Sequence, residues 1–184
     1  MAEAGIILYD AFIDKFAFAN PSKEVGERLF QRMIGAGPVL YSVNNNKLDG
    51  GLIYSFPNKE MDISTKGFFS ELGLWTGFKT ILNLIYIEIA LPQQKDTVFI
   101  DGLAVAPTSR GRGIGRQLLM KVSELAKENN NLPVGLSVVA ENKVAHGLYK
   151  SVGFNEIGEK RFGKMGKFFK IDYSTNIIMR KENL

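Results

Sequence analysis

Three glycines alternate with two arginines in the stretch R-G-R-G-I-G at residues 110–115, directly before an amphipathic run. The first N–H groups of a helix have no acceptor inside the helix, and they carry the positive end of its dipole. The glycines keep side chains away from these amides, while Arg110, Arg112 and Arg116 add positive charge beside them. This combination predicts an anion site, and a pyrophosphate is the anion that we expect there.

Two common phosphate-binding motifs do not fit this stretch. A P-loop requires a Gly-Lys-Ser/Thr sequence after its first glycine, and none follows here. A dinucleotide fingerprint requires G-x-G-x-x-G, but Gly111, Gly113 and Gly115 have the wrong last spacing. An acidic residue on a second strand about 20 residues later is also missing. We therefore exclude both motifs.

The spacing Arg110-x-x-Gly113-x-Gly115, after the strand-like L-A-V and a proline, resembles the acetyl-CoA loop of the GNAT superfamily of N-acetyltransferases. A second stretch, E-N-K-V-A-H-G-L-Y-K-S-V-G-F at 141–154, matches the family spacing N-x-x-A-x-x-L-Y-x-x-x-G-F. Two motifs in the right order and separation are far more specific than either alone. The resemblance spans residues 98–154, and it implies an acyltransferase that uses acetyl-CoA as co-substrate.

The resemblance also implies where acetyl-CoA binds. Its pantetheine arm would lie along the backbone of a strand that splays from the next strand, and its pyrophosphate would lie on the loop amides. The residues thus assigned to the cofactor are Leu103, Ala104, Val105, Arg110, Gly111, Arg112, Gly113, Ile114, Gly115, Arg116, Asn142, Ala145 and Tyr149. Asn142 would bond the cofactor arm, although a helix N-cap needs the same residue type and both roles can hold together.

Acetyl transfer to a primary amine needs a base, because a lysine-like ammonium has a pKa of about 10.4 and must lose a proton before it attacks. Asp101, two residues before Leu103, is our candidate, although a strand-end carboxylate bonded to amides or an arginine would look the same. Glu71, Glu88 and His146 are alternative bases. The resemblance makes Tyr149 the general acid for the leaving thiolate, and packing of a short helix is its other reading.

The sequence says less about the acceptor amine than about the cofactor. Glu71 and Trp75 are candidate substrate contacts, yet an aromatic residue at helical spacing is also typical of a core. We expect a small-molecule amine, because residues 67–91 form an insertion suited to covering a pocket. A protein lysine or α-amino group is the alternative acceptor, and a non-catalytic acetyl-CoA-binding module is the alternative of another class.

The composition narrows the remaining possibilities. The 184 residues include no cysteine and a single histidine, so we expect no metal site. The net charge of +4 is too mild and scattered to predict a nucleic-acid partner. The N-terminus lacks the basic region of a secretory signal, and charges interrupt every long apolar stretch, so we expect a cytoplasmic protein without a membrane partner. The family resemblance is compatible with a homodimer.

The order of predicted elements indicates a single α/β (α+β mixed) domain. Its sheet would be mixed and mostly antiparallel, flanked by helices and splayed between its fourth and fifth strands, as the resemblance implies. The first family strand is either missing or replaced by residues 5–9, and an extra helical stretch occupies 67–91. The predicted helices are 3–19, one capped by Ser22, 116–128 and 142–153, and the predicted strands are 39–43, 50–56, 97–107, 133–140, 154–162 and 174–181. The strands 39–43 and 50–56 would form a hairpin with an asparagine-rich turn at 44–49. In the helix 116–128, the predicted buried residues are Leu118, Leu119, Val122 and Leu125.

Overall fold

The computed structural model describes residues 22–28, 37–57, 73–74, 78, 96–161 and 175–183. These ranges contain the strands β1 Val39–Asn44, β2 Lys47–Ser55, β3 Val98–Val105, β4 Val134–Val139, β5 Asn155–Arg161 and β6 Thr175–Lys181. Helix α1, Ile114–Glu128, follows β3, and helix α2, Lys143–Ser151, follows β4. A short 3-10 turn, Pro107–Ser109, joins β3 to the loop before α1.

The described strands form one sheet in the order β1-β2-β3-β4-β6-β5. β3 and β4 are parallel, which requires the crossover that α1 provides, and the other neighbouring strands are antiparallel. The prediction of a mixed, mostly antiparallel sheet flanked by helices is therefore confirmed. The sheet opens between its third and fourth described strands, while residues 5–9, the candidate for an earlier strand, lie outside the described residues.

The β1–β2 hairpin turns at only two residues. Asn45 and Asn46 have φ values of 49° and 60°, and asparagine tolerates this left-handed region better than other residues with a side chain. The six-residue turn predicted for 44–49 is therefore wrong in length, since Lys47 already pairs with Asn44. Strand β2 consequently begins early enough to include Asp49.

Helix α1 packs on the sheet through residues that recur at three- and four-residue spacings. Leu118, Leu119 and Val122 are buried as predicted, and Ala126 continues the buried face. The predicted core residue Leu125 is only partly buried. The helix contacts β1 through β4, so its N-terminus is held over the middle of the sheet.

Other predicted elements are described in part. Residues 23–28 are helical, and the Ser22 hydroxyl accepts from the Val25 amide at 3.4 Å, which confirms the predicted cap. Residues 73, 74 and 78 are helical, within the predicted stretch 67–91. The rest of that stretch, and the predicted helix 3–19, lie outside the described residues.

Candidate functional site

The sheet opens next to α1. β3 and β4 pair only from Val98 with Val134 to Ile100 with Leu136, although both strands continue beyond that point. Along residues 103–105, β3 pairs with β2 on its other side. The β4-facing edge of this segment therefore has no strand partner among the described residues. Such an edge offers N–H and C=O groups to an extended, amide-containing ligand.

Asp101 lies at a bulge where this opening begins. Ile53 pairs with Gly102 and Tyr54 pairs with Ile100, so Asp101 is the extra residue of β3 and faces no partner on β2. Its side chain is accessible to solvent, yet the protein atoms around it desolvate the carboxylate and raise its pKa to about 6. A hydrogen bond with the Ser55 side chain opposes this rise. The carboxylate is therefore crowded by protein atoms although the residue as a whole is exposed.

The loop before α1 depends on two glycines with left-handed backbones. Gly111 and Gly113 have φ values of 77° and 79°, a region in which residues with a Cβ are strained. A Cβ on either glycine would meet no described atom within 4 Å, so these two residues border open space. Gly113 is the N-cap of α1 and provides no side-chain cap. The first amides of α1 therefore remain available to an anion in that space.

Ile114 and Gly115 contribute to packing. The Ile114 side chain is buried in the core, and a Cβ on Gly115 would lie 3.0 Å from Cδ2 of Leu148 on α2. The missing side chain of Gly115 therefore lets α1 approach α2, which differs from the predicted role of exposing amides to a phosphate. Only the backbone of these two residues is suited to contacting a ligand.

The three arginines point to different places, each with a protein partner. Arg110 Nε donates to the Val105 carbonyl at 3.3 Å, and a nitrogen of Arg116 donates to the Ser151 carbonyl at 3.3 Å. Arg112 turns toward β2, where it meets the Asp49 carboxylate at 3.6 Å. All three residues remain exposed, so they surround the loop with positive charge while bracing it.

Asp49 and Ser109 also belong to this site, although no motif in the sequence marks either residue. The Ser109 hydroxyl donates a short hydrogen bond to the Asp49 carboxylate, and both residues are buried. Asp49 follows an asparagine run, so it had the appearance of a turn residue. Its burial depends on the pairing register of β2, which leaves no mark in a single sequence.

Helix α2 begins next to the opening of the sheet. Asn142 is its N-cap, and its side-chain oxygen accepts from the Ala145 amide at 3.0 Å. The predicted capping role of Asn142 is therefore observed. Ala145 is partly buried against the core.

Tyr149 is largely buried in α2. Its ring packs edge-on against Phe154, with ring centroids 6.0 Å apart. Burial raises the pKa of its phenol to about 12, so the hydroxyl keeps its proton at neutral pH. The predicted packing role is thus real, and it is compatible with a role as hydrogen-bond donor.

The alternative base His146 contacts a carboxylate on β5. Its Nε2 lies 3.0 Å from the Glu156 carboxylate, which Lys150 also approaches at 2.7 Å. The Lys150 hydrogen bond is the main reason why the pKa of Glu156 lies below its usual value. His146 therefore belongs to a cluster of hydrogen-bonding side chains between α2 and β5. Glu71, Trp75 and Glu88 lie outside the described residues.

The residues that the structure describes also bear on two other kinds of partner, a membrane and a metal ion. Among the helices that the structure describes, none has the length and apolar character needed to cross a membrane. In the same ranges, no three His, Cys, Asp or Glu side chains come together as a metal site would require.

Known proteins resemble the segment that contains these features. The family model described as "Acetyltransferase (GNAT) family" matches residues 81–154. The N-alpha-acetyltransferase RimI of Mycobacterium tuberculosis is 32% identical over 81 residues, which are 44% of this chain and 46% of the relative. The thialysine N-epsilon-acetyltransferase of Bos taurus is 34% identical over 62 residues, which are 34% of this chain and 36% of the relative.

The fold has solved counterparts as well. The crystal structure of a GNAT family acetyltransferase from Elizabethkingia anophelis with acetyl-CoA bound superposes with a TM-score of 0.53 at 17% identity. The match covers 84% of this chain and 82% of that one, and it supports the fold alone. The two sequence relatives are each matched over less than half of their own length. Residues 81–154 of this chain therefore resemble the GNAT family of acetyltransferases.

Proposed function

We propose that the protein transfers the acetyl group of acetyl-CoA to a primary amine, with a small-molecule amine as acceptor. The observation that carries this proposal is the open space in front of Gly111 and Gly113, at the uncapped start of α1 and beside the splayed strands β3 and β4. The solved acetyltransferase with acetyl-CoA bound shares this fold. The family match of residues 81–154 and the local geometry thus support the same ligand.

The proposed cofactor site has two parts. The amides of residues 112–116 would hold the pyrophosphate, because helix N-termini favour anions and no side-chain cap competes at Gly113. The free edge of β3 along Leu103, Ala104 and Val105 would pair with the amides of the pantetheine arm. Acetyl-CoA supplies the activated acetyl group, and the chain supplies the proton transfers.

Asp101 is the proposed base. Because the pKa of its carboxyl is raised to about 6, the carboxylate is the main form at pH 7 and yet binds a proton more readily than an ordinary aspartate. A base with a pKa near the working pH combines availability with strength. Asp101 would therefore take a proton from the acceptor ammonium, directly or through water.

Tyr149 is the proposed donor to the sulfur that leaves. A phenol with a pKa of about 12 is a weaker acid than a thiol with a pKa of about 8.5. Complete proton transfer is uphill by about 5 kcal/mol on this difference. We therefore propose that Tyr149 stabilises the developing thiolate by a hydrogen bond and retains its own proton, a refinement of its expected role as general acid.

A protein α-amino group is the second candidate acceptor, since RimI of Mycobacterium tuberculosis is named as an N-alpha-acetyltransferase. The thialysine acetyltransferase of Bos taurus represents small amines among the relatives. The test measures thiol release from acetyl-CoA with a panel of small amines and with peptides that have free N-termini or lysines, using Tyr149→Phe as control. We expect release with a small amine. Release with peptides alone would favour the second candidate, and cofactor binding without any release would indicate a non-catalytic module.

A further inference from the structure

One buried acid lies next to the loop before α1. Ser42 pairs with Gly50 and Val43 pairs with Leu48, so Asp49 is the extra residue of a bulge in β2. The residue is only 8% exposed. A buried carboxylate is costly unless hydrogen-bond donors and positive charge surround it, so its partners show what it does.

Every described partner of Asp49 lies in the segment between β3 and α1. The carboxylate accepts from the Ser109 hydroxyl and faces the Arg112 guanidinium at 3.6 Å. The Asp49 carbonyl accepts from the Ala106 amide at 2.8 Å. Arg112 also donates to the Ser109 hydroxyl oxygen at 3.3 Å, which closes a three-membered network. One residue of β2 therefore holds the connecting segment at three points, residues 106, 109 and 112.

We propose that Asp49 is a positioning residue for the phosphate-binding loop, an inference that rests on the proposed use of acetyl-CoA. Gly111 and Gly113 have the largest backbone freedom of any residue type, so the loop they form is intrinsically loose. A ligand that must first order a loose loop binds more weakly than one that meets an ordered loop. The Asp49 network fixes Ser109, two residues before Gly111, and Arg112, the residue between the two glycines.

The hydrogen bond to Ser109 is the main contact of this network. It joins two buried residues, and a hydrogen bond that involves an ionised group is roughly twice as strong as a neutral one. The Arg112 contact is longer, and the arginine side chain is half exposed, so solvent weakens the ion pair. Asparagine in place of Asp49 keeps an acceptor oxygen for Ser109, whereas alanine removes it.

The proposal predicts a specific order among variants in their affinity for acetyl-CoA. We expect Asp49→Ala to raise Kd about tenfold, the scale of one hydrogen bond to a charged group. Asp49→Asn should stay within about threefold of the wild type. Ser123→Ala is the matched control, because Ser123 is another buried polar residue but lies on α1 and donates to the Leu119 carbonyl away from the loop. Its Kd should equal that of the wild type.

A shorter ligand separates loop positioning from general damage to the fold. S-acetylpantetheine lacks the pyrophosphate, so we expect its Kd, measured by NMR titration, to be the same in wild type and Asp49→Ala. Thermal melting of each variant without ligand shows that it is folded before it is titrated. Equal weakening of both ligands by Asp49→Ala, or equal weakening of acetyl-CoA binding by Ser123→Ala, contradicts the proposal.

Three further outcomes are also decisive. If Asp49→Ala binds acetyl-CoA as tightly as the wild type, Asp49 does not position the loop although the protein still uses the cofactor. If Asp49→Asn is as weak as Asp49→Ala, the retained acceptor oxygen has no value and the hydrogen-bond account is wrong. A wild-type protein that does not bind acetyl-CoA refutes the proposed function itself, before any variant is compared.

Discussion

Replacement of Asp101 by asparagine should abolish the inflection near pH 6 in the rate of acetyl transfer. Asparagine has the same shape and keeps an acceptor for the Ser55 hydroxyl, but it cannot take a proton. The wild-type carboxyl has a pKa of about 6, so its ionised fraction rises from about 9% at pH 5 to about 91% at pH 7. We therefore expect wild-type kcat/KM to rise about tenfold over this range and then level off.

Asp101→Asn should differ from the wild type in both the magnitude and the pH dependence of kcat/KM. Loss of a general base typically lowers the rate by about 10²–10⁴-fold. The remaining reaction requires acceptor that has already lost its proton, so kcat/KM should rise about tenfold per pH unit without levelling off below the pKa of the amine. The assay is thiol release from acetyl-CoA at subsaturating amine, measured at half-unit steps from pH 5 to pH 9.

Stability provides an independent readout for the same substitution. A carboxyl with a pKa raised from 3.8 to about 6 holds its proton more tightly in the folded state, so its contribution to stability falls as the pH rises from 4 to 6. Asp101→Asn should remove this fall, and urea unfolding at pH 4.5 and pH 7 measures it. His146→Gln is the control, because His146 is the alternative base among the described residues. If the inflection near pH 6 in the rate of acetyl transfer survives in Asp101→Asn and disappears in His146→Gln, Asp101 is not the base.

Three further substitutions test the site. Gly113→Ala should lower the free energy of unfolding by about 1–2 kcal/mol, measured by urea unfolding, because φ is 79°. It should weaken acetyl-CoA binding, measured by calorimetry, by more free energy than it removes from folding. Gly115→Ala should lower stability through the 3.0 Å approach to Leu148 and leave the affinity of the folded protein nearly unchanged; equal effects of both variants on binding would contradict their different roles. Tyr149→Phe should lower kcat at least tenfold while the free energy of unfolding, measured by urea titration, stays within about 1 kcal/mol of wild type. An unchanged kcat would limit Tyr149 to packing.

Local patterns were sufficient for much of the fold. The spacing of Leu118, Leu119 and Val122 gave the buried face of α1, and Ser22 marked the start of a helix. The hairpin was predicted from its asparagines, but its length was wrong. Turn length depends on which residues pair across the strands, and that pairing is a property of two segments together.

The site shows the same division between local and long-range information. The motif spacing identified Gly113 and the capping residue Asn142, whose observed roles involve near neighbours in the chain. The bulges that expose Asp101 and bury Asp49 arise from strand register, so no local sequence pattern predicts them. The positions of the three arginine side chains likewise depend on contacts with residues on other elements.

The most direct test of the proposed function is a thermal melt of the wild-type protein with and without acetyl-CoA. Binding to the native state alone adds about 2.7 kcal/mol when the ligand is present at 100 times its Kd. For a chain of this size, that gain raises Tm by roughly 5–11 °C. We predict a rise in this range. An unchanged Tm at millimolar acetyl-CoA would contradict the cofactor site and the acetyl transfer that depends on it.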